Sequence, residues 1–556
     1  MENIQVTQPQ PSPISQNSSA PKEETLLSPA LSFFALFSLL AGYLFCRAFP
    51  AMAHSSGSLL LLLILYLITA ILLKWNKSFA LKPLSVAVGI SGLVAAFALF
   101  ATENDTVQFF SSLYAYAAYG YFVSASTGNL LTTGTGDLIA ADFFRALFLL
   151  PFSSFGKLFS VLAAQKGKRG FKWILMVFCG LLMAVIPTLI IGLLLSYDQN
   201  FTDLLSHIFD WNFSDIFSHL GSLILGIPVA MWFFGLFYSS VSGRCKNNLP
   251  AASFHSAAVK ARVMPKLLLA SAVFPILFLY LVFFISQWDY YFSAFSGSLP
   301  EGEYYAGYAR EGFFQLCAVS AINFVILACL SLFMKRKRQD RSPALLKILA
   351  LLFSVSSLIL MATAMSKLVL YIQSYGLTPK RIYAAWFMLL LGVLFLLVCI
   401  KQFVPKFKLL FTSGIVTLLF FFTLAFCGSG NLIARYNINA YQTGKLDELD
   451  VEMLADDLGD EAVPALIDLA HSLDEELGTD IQTIIRENDI WQAVKKQTGR
   501  SDETYDLYCN TARELQYLSE KNAERSLFSR TIPSIRAQIA LTRADLVPEP
   551  KDIDRD

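Results

Sequence analysis

Residues 267–288 read LLLASAVFPILFLYLVFFISQW, twenty-two residues without Asp, Glu, Lys or Arg. A bilayer core about 30 Å thick takes ~20 apolar residues per helix, so this stretch is long enough to cross. Ten more stretches of at least nineteen uncharged, mainly apolar residues fill the first four-fifths of the chain. In lipid the backbone must satisfy its own polar groups, and runs of this length do so as helices. The expected spans lie near 26–46, 55–73, 83–102, 106–126, 173–197, 217–241, 267–288, 312–334, 348–371, 382–400 and 409–429. The fold class expected is therefore all-α: a polytopic membrane helical bundle of about eleven transmembrane helices with a small C-terminal all-helical soluble domain.

Composition agrees: 55% of the 556 residues are apolar and 48 are Phe. The net charge of +1 hides an asymmetry, since residues 1–434 sum to +13 and residues 435–556 to −12. This predicts a cationic membrane part and an acidic soluble unit. Residues 1–25 are polar and rich in Pro and Ser, and read as a disordered cytoplasmic tail. The remaining units expected are a bundle over 26–434, an extracytoplasmic helical domain over 435–547 and a tail over 548–556. Alternate loops carry the cations. Lys74, Lys77 and Lys82 form the first basic loop, and Lys401, Lys406 and Lys408 the last. Glu103, Asp105, Asp198, Asp289 and Glu301 lie on the opposite side. The positive-inside rule then puts the N-terminus in the cytoplasm and the acidic domain outside. Residues 143–165 are apolar but interrupted by Pro151 and Lys157. They read as an interfacial or re-entrant element, because a twelfth span would invert the charge pattern.

Few motifs carry chemistry. TTGTGD at 132–137 lacks the aromatic of a potassium filter and reads as a turn leaving a span. Asp203/His207 and Asp215/His219 are i,i+4 pairs in a short tandem repeat. They could converge on a metal, but helix capping explains the repeat better. No catalytic, metal or cofactor set emerges. The polar outer loop at Tyr304, Tyr305, Tyr308, Arg310 and Glu311 runs into a span whose Glu311, Gln315 and Asn323 fall within about 120° of a helical wheel, a candidate interior face. Lys367 is expected to snorkel outward. Arg435, Tyr436, Asn437 and Asp447 mark the junction with the tail, where Arg435 is a mate for Glu311 and Asp447 for Arg310. The tail shows five apolar stripes, the first over 446–458 and the last over 532–541, punctuated by Gly459 and Gly478. They are expected to need only each other, so that 444–547 folds alone.

YAGYAREGFFQL (305–316), YGLTPKRIYAAWFML (375–389), NLIARYNINAYQTGKLDELDVEMLADDLGDEAVPALIDL (431–469) and SRTIPSIRAQIAL (529–541) together resemble a bacterial membrane family, domain of unknown function 4173, and its relative 4153. The resemblance runs from about residue 197 to the end. It implies a bacterial inner-membrane setting and supplies no reaction. Gly307 departs from the acid expected in relatives, and the closing helix lacks an expected aromatic–Asn pair.

These readings predict a non-enzymatic envelope sensor, scaffold or assembly partner. A secondary transporter is the alternative and a membrane-embedded transferase the third. Expected partners are the lipid bilayer and, through the acidic domain, an envelope protein. Nucleic acid is not expected.

Overall fold

The computed structural model describes residues 29–48, 56–76, 79–131, 139–163, 213–242, 260, 262–286, 305–333, 344–404, 406–478, 481, 503–525 and 529–546. All regular elements among them are helical. In chain order they are α1 (Pro29–Ala48), α2 (Ser56–Trp75), α3 (Pro83–Ala101), α4 (Asp105–Ser126), α5 (Ile139–Phe144), a π turn (Arg145–Leu149), α6 (Leu150–Ser153) and α7 (Lys157–Ala163). There follow α8 (Phe213–Ser242), α9 (Lys266–Ser286), α10 (Tyr305–Phe333), α11 (Ala344–Tyr375), α12 (Pro379–Phe403) and α13 (Leu409–Phe426). The polar C-terminal region holds α14 (Ser429–Gln442), α15 (Val451–Leu458), a 3₁₀ turn (Gly459–Glu461), α16 (Val463–Leu477), α17 (Glu503–Ala523) and α18 (Ile532–Arg543).

Eight of these helices, α1, α2, α3, α8, α9, α11, α12 and α13, are long and apolar enough to cross a membrane. The count of eleven is not reached among the described residues. Two further expected spans are helices that fall short of that measure. One is α4, diluted by Ser and Tyr, and the other is α10, whose described apolar part is Ala318–Ser331. The expected spans at 173–197, the terminal stretches 1–25 and 548–556, the TTGTGD turn and the Asp203/His207 pair lie outside the described residues.

Small residues decide the closest helix pair. A Cβ on Gly42 of α1 would lie 2.2 Å from the Gly226 carbonyl oxygen of α8, and one on Gly226 2.8 Å from the Tyr43 nitrogen. The two backbones touch, as apolar side chains dissolved in lipid cannot make them do by hydrophobicity alone. Around this contact Phe34 stacks on Phe237 at 4.2 Å, and Leu62, Leu65, Tyr119 and Phe233 are fully buried. A second core joins α9, α10, α11 and α12 through Phe353, Leu360 and Phe395. Helix α13 links the two: Leu424 and Ala425 pack with Ala98 and Val107, and the Trp386 indole of α12 donates to the Phe420 carbonyl at 2.8 Å.

The stretch read as interfacial or re-entrant packs against α4 and α8. Asp142 accepts from the Leu131 amide just beyond α4, Leu147 lies against Trp232, and Ser153 meets Ser239 near the C-terminal end of α8. Phe144, Phe148 and Phe152 stand exposed on one face. Lys367 does not snorkel: it is only 6% exposed, because α11 turns that face into its core beside Ala364 and Leu368.

The last apolar run, 409–434, breaks early. Gly428 adopts φ +62°, a conformation other residues resist, and a new helix starts at Ser429. The boundary expected at 434/435 therefore falls inside α14, whose Ile433, Ala434 and Ile438 belong to the C-terminal core. The first expected tail helix is shorter than its apolar stripe: Leu446 and Leu449 precede α15, which Asp450 caps through the Met453 amide at 2.9 Å. Of the third expected stripe, 481–494, Ile481 is described and is buried in the C-terminal core; the rest of it, and the cap expected for the fourth at Ser501, lie outside the described residues.

Two outcomes follow from this packing. Gly226→Ala should destabilise the solubilised protein by about 1–3 kcal/mol, read as a lower thermal midpoint, since neither backbone can retreat freely. A fragment 444–547 lacks α14 and should bind ANS without a cooperative melt, against the expectation that it folds alone. A fragment begun at Gly428 should recover cooperativity.

A candidate functional site at the seam between bundle and tail

Two short segments exchange carboxylates. The loop after α3 is rigid before it meets anything else. Asn104 caps α4 by accepting from the Val107 amide at 3.1 Å, and the Gln108 side chain donates to the Thr102 carbonyl at 2.6 Å. On the other side, Gly459 at φ +55° ends α15 and opens the 3₁₀ turn that carries Asp460 and Glu461. That turn aims Asp460 and Glu461 in different directions.

Glu103 projects from the bundle into the tail. Arg525 grips it with both terminal nitrogens, at 2.6 and 3.2 Å, and the Thr531 hydroxyl donates to it at 2.7 Å. Glu461 projects the other way. It accepts from the Thr102 hydroxyl at 2.9 Å, the Glu103 amide at 3.2 Å and the Gly430 amide at 2.7 Å, at the start of α14. A carboxylate at a helix start completes the free amides there and suits the helix dipole. A Cβ on Gly430 would lie 2.6 Å from Glu461 Oε2, so glycine is required for the approach.

Asp460 lies between these two contacts and is 1% exposed. Its Oδ2 forms an ion pair with Arg525 at 3.1 Å and accepts from Asn522 at 2.9 Å, while Asn522 also donates to the Ser534 carbonyl. Among the described residues its Oδ1 has no hydrogen-bond partner. Burial first, and then the neighbouring Glu103 charge, push the Asp460 carboxyl up to about 6, while Arg525 and Asn522 pull it down. Beside this node lies a cavity of about 540 Å³, lined among others by Asp105, Lys380, Tyr383, Asp456, Asp457 and Lys521.

A second tie holds the loop between α11 and α12. Asn437 of α14 donates to the Leu377 carbonyl at 2.8 Å and accepts from the Leu377 amide at 2.6 Å. Gly376, at φ +74°, leaves room for that amide. Asp447 lines a cavity of about 570 Å³ at the end of α11 with Glu448, Asp450, Glu452 and Arg513.

The residues expected to form the site are only partly brought together. Tyr304 lies outside the described residues. Tyr305, Tyr308, Arg310 and Glu311 fall in the first turns of α10, and its described side chains begin at Gln315. Gln315 is exposed whereas Asn323 is buried, so the two do not share an interior face. The buried stripe of α10 follows Leu316, Ser320, Asn323, Leu327 and Leu330, and Gln315 stands a helical step outside it. Asn323 is committed to packing: Tyr280 donates to it at 2.5 Å and it donates to Ser357 at 2.8 Å. Arg435 makes an exposed ion pair with Asp468 at 3.7 Å, a different partner from the one expected, and Tyr436 is exposed. Of the junction residues, Asn437 is the one at the seam. His219, weighed as a metal ligand, meets the Tyr43 hydroxyl at 2.7 Å instead. The seam residues Glu103, Asp460, Glu461 and Arg525 were not singled out by sequence. The available signal was a pair of acids, Asp460 and Glu461, set between two apolar stripes where a solvated loop needs no such company.

These features define a multi-pass α-helical membrane protein with a polar helical region seated on one end of its bundle. The family model described as domain of unknown function DUF4153 matches residues 87–469, well over half of the chain, and the chain belongs to that family. This is the second of the two related groups its motifs resemble. The match starts far ahead of residue 197 and stops before the closing motif at 529–541. Comparison with curated proteins finds no match, and comparison with solved structures finds none either.

Arg525→Ala would leave Glu103 and Asp460 buried without their cation. It should cost about 3–5 kcal/mol, seen as loss of the tail's thermal transition and rapid proteolysis around Gly444. Gly430→Ala should give a milder form of the same phenotype, because only the Glu461 contact is displaced.

Proposed function

We propose that this protein is a non-enzymatic component of the bacterial inner membrane, a sensor, scaffold or assembly partner whose C-terminal helical domain stands on the extracytoplasmic side. The reading rests on one observation, the reciprocal exchange of Glu103 and Glu461 across the seam. A domain that is anchored on one flank by apolar packing along α14 and on the other by buried polar contacts can be loosened or held by events at that polar flank. The acidic groove at Asp447, Glu448, Asp450 and Glu452 suits a cationic segment of an envelope protein. The transport alternative drew on the polar side of 312–334 and on the Gly- and Thr-rich break at 127–136; the Asn323 amide is engaged at both ends, and residues 132–136 of the break lie outside the described residues.

Eleven crossings with a cytoplasmic N-terminus go with this reading. Three contacts support it. The loop at 102–104, the loop at 376–378 and the acidic tail meet at one end of the bundle. Ala80 in the first basic loop bonds Ser126 at the close of α4, and Asn129 bonds Ser240 shortly before the basic residues Arg244 and Lys246 in the sequence.

Orientation is tested by fusions at Asp556: a phosphatase should be active there and a fluorescent protein dark, and the reverse would refute it. Docking is tested with spin labels at the exposed Tyr375 and Tyr517 of the full chain in nanodiscs. Wild type should give a short distance and Glu461→Gln a longer or broader one. An identical distribution in both would refute a releasable tail.

A further inference from the structure

The stimulus that acts at this seam can be inferred from its charge count, and this step rests on the docking reading above. Two carboxylates share one guanidinium, for Arg525 holds Glu103 at 2.6 Å and Asp460 at 3.1 Å. Glu461 is no competitor for that cation, because a hydroxyl and two backbone amides already surround it. The imbalance falls on Asp460. Its side chain is fully shielded from solvent, its Oδ2 is used twice, and among the described residues its Oδ1 has no hydrogen-bond partner. An ionised carboxylate needs donors at both oxygens when buried, whereas a protonated one carries no charge to solvate.

We propose that the seam is a proton-operated latch in which a single proton on Asp460 holds the C-terminal domain on the bundle and its loss loosens it. The ionisable groups around Asp460 are Glu103 from the loop after α3, Arg525 following α17 and Glu461 next in the chain. From the helices packed on the turn come groups that do not titrate: Asn522 of α17, Thr531 and Ser534 at the start of α18, and the Gly430 amide of α14. The first turn of α16 is apolar and buried at Val463 and Leu466. Asp456, Asp457, Asp105, Lys380 and Lys521 line the adjoining cavity, which gives the proton a polar route to solvent.

The direction follows from linkage. Asp460 rises from an ordinary 3.8 to about 6 in the closed seam, so the docked state holds its proton more tightly than the free one. Docking is strongest at acid pH. As pH rises through the closed-seam value the docking constant falls, by at most about tenfold per pH unit, and is level well above it. A domain facing the cell exterior would thus sit down in acid and loosen toward neutrality.

The experiment uses the full chain in nanodiscs, labelled at Tyr375 and Tyr517, with distances recorded from pH 4 to 7.5. Wild type should shift from the short to the longer distance as pH rises. Asp460→Asn, which mimics the protonated acid and cannot ionise, should stay short throughout. Glu103→Gln should dock more weakly but move the transition to lower pH, because the neighbouring charge that favours protonation is gone. A wild-type distribution that ignores pH, or an Asp460→Asn protein that keeps the transition, would overturn the latch. Infrared difference spectra offer a readout that does not need the variant to fold. A buried carboxylic-acid carbonyl band should titrate away near 6, and its absence would also overturn the proposal. Should Glu461→Gln and Gly430→Ala loosen the domain while pH does not, docking stands and the proton has no part in it. Should none of these change the distance, the docking reading falls as well.

Discussion

Burying more negative than positive charge in one place is the constraint on which the C-terminal half of this protein depends. Moving a carboxylate out of water costs several kcal/mol, and the cost is met only where donors and a cation converge. Glu103, Asp460 and Glu461 lie within one small region with Arg525. Glu461 is satisfied without any cation, by a helix start whose amides would otherwise be unpaired. Glu103 is satisfied by the rigid fork of an arginine. Asp460 is left with half of its needs met. Everything that surrounds it, from the Gly459 turn to the cap of α18, is arranged to hold these three acids in these positions.

The apolar core of the C-terminal region explains why this arrangement sits at a seam and not inside a free-standing domain. Small helical units bury too little surface to be independent with ease. Here part of the core is borrowed: Ile433, Ala434 and Ile438 belong to a helix that continues from the last span after a single left-handed glycine, and Leu377 and Ile382 of the α11–α12 corner pack against it. The region is thus covalently and sterically continuous with the bundle along α14. It is joined elsewhere by polar contacts, at Asn437 and around Glu103. One flank is anchored by apolar packing and the other by groups that respond to charge, which is the layout of a hinge.

Much of this was legible from composition. Lipid demands long uncharged runs, so spans announce themselves, and eight of the eleven expected are helices of sufficient length and apolarity. The stops at Gly459 and Gly478 were legible because a cap with positive φ admits few residues besides glycine. Helix faces inside the membrane were not. Where lipid and core are equally apolar, hydrophobic periodicity no longer separates them, so Gln315 could be assigned to the interior although α10 turns it out. Lys367 failed for the same reason in reverse. The seam was hidden for another reason: Glu103 and Arg525 are over four hundred residues apart, and a lone acid in an exposed-looking loop carries no local sign of a distant mate. Arg435 shows the converse, since its position beside the last span suggested a buried pair and the helix instead points it at Asp468 in solvent.

Why such a node should exist is the remaining physical question. Buried ion pairs are weak contributors to stability, and well-packed apolar residues of similar volume do as well or better. Had the bundle needed only a firm attachment, Leu or Ile at the Glu103 and Asp460 positions would have provided it, as Leu424 and Ala425 do between α13 and α3. Charges give what apolar contacts cannot: a strong dependence on ionisation and a sharp penalty for misregister. Glu461 supplies the second, since it fits only against a glycine and only when the loop at 102–104 is in place. Asp460 supplies the first. The stable part of the contact and the responsive part are adjacent residues on one 3₁₀ turn, so a change at one is felt at the other without any longer path through the protein.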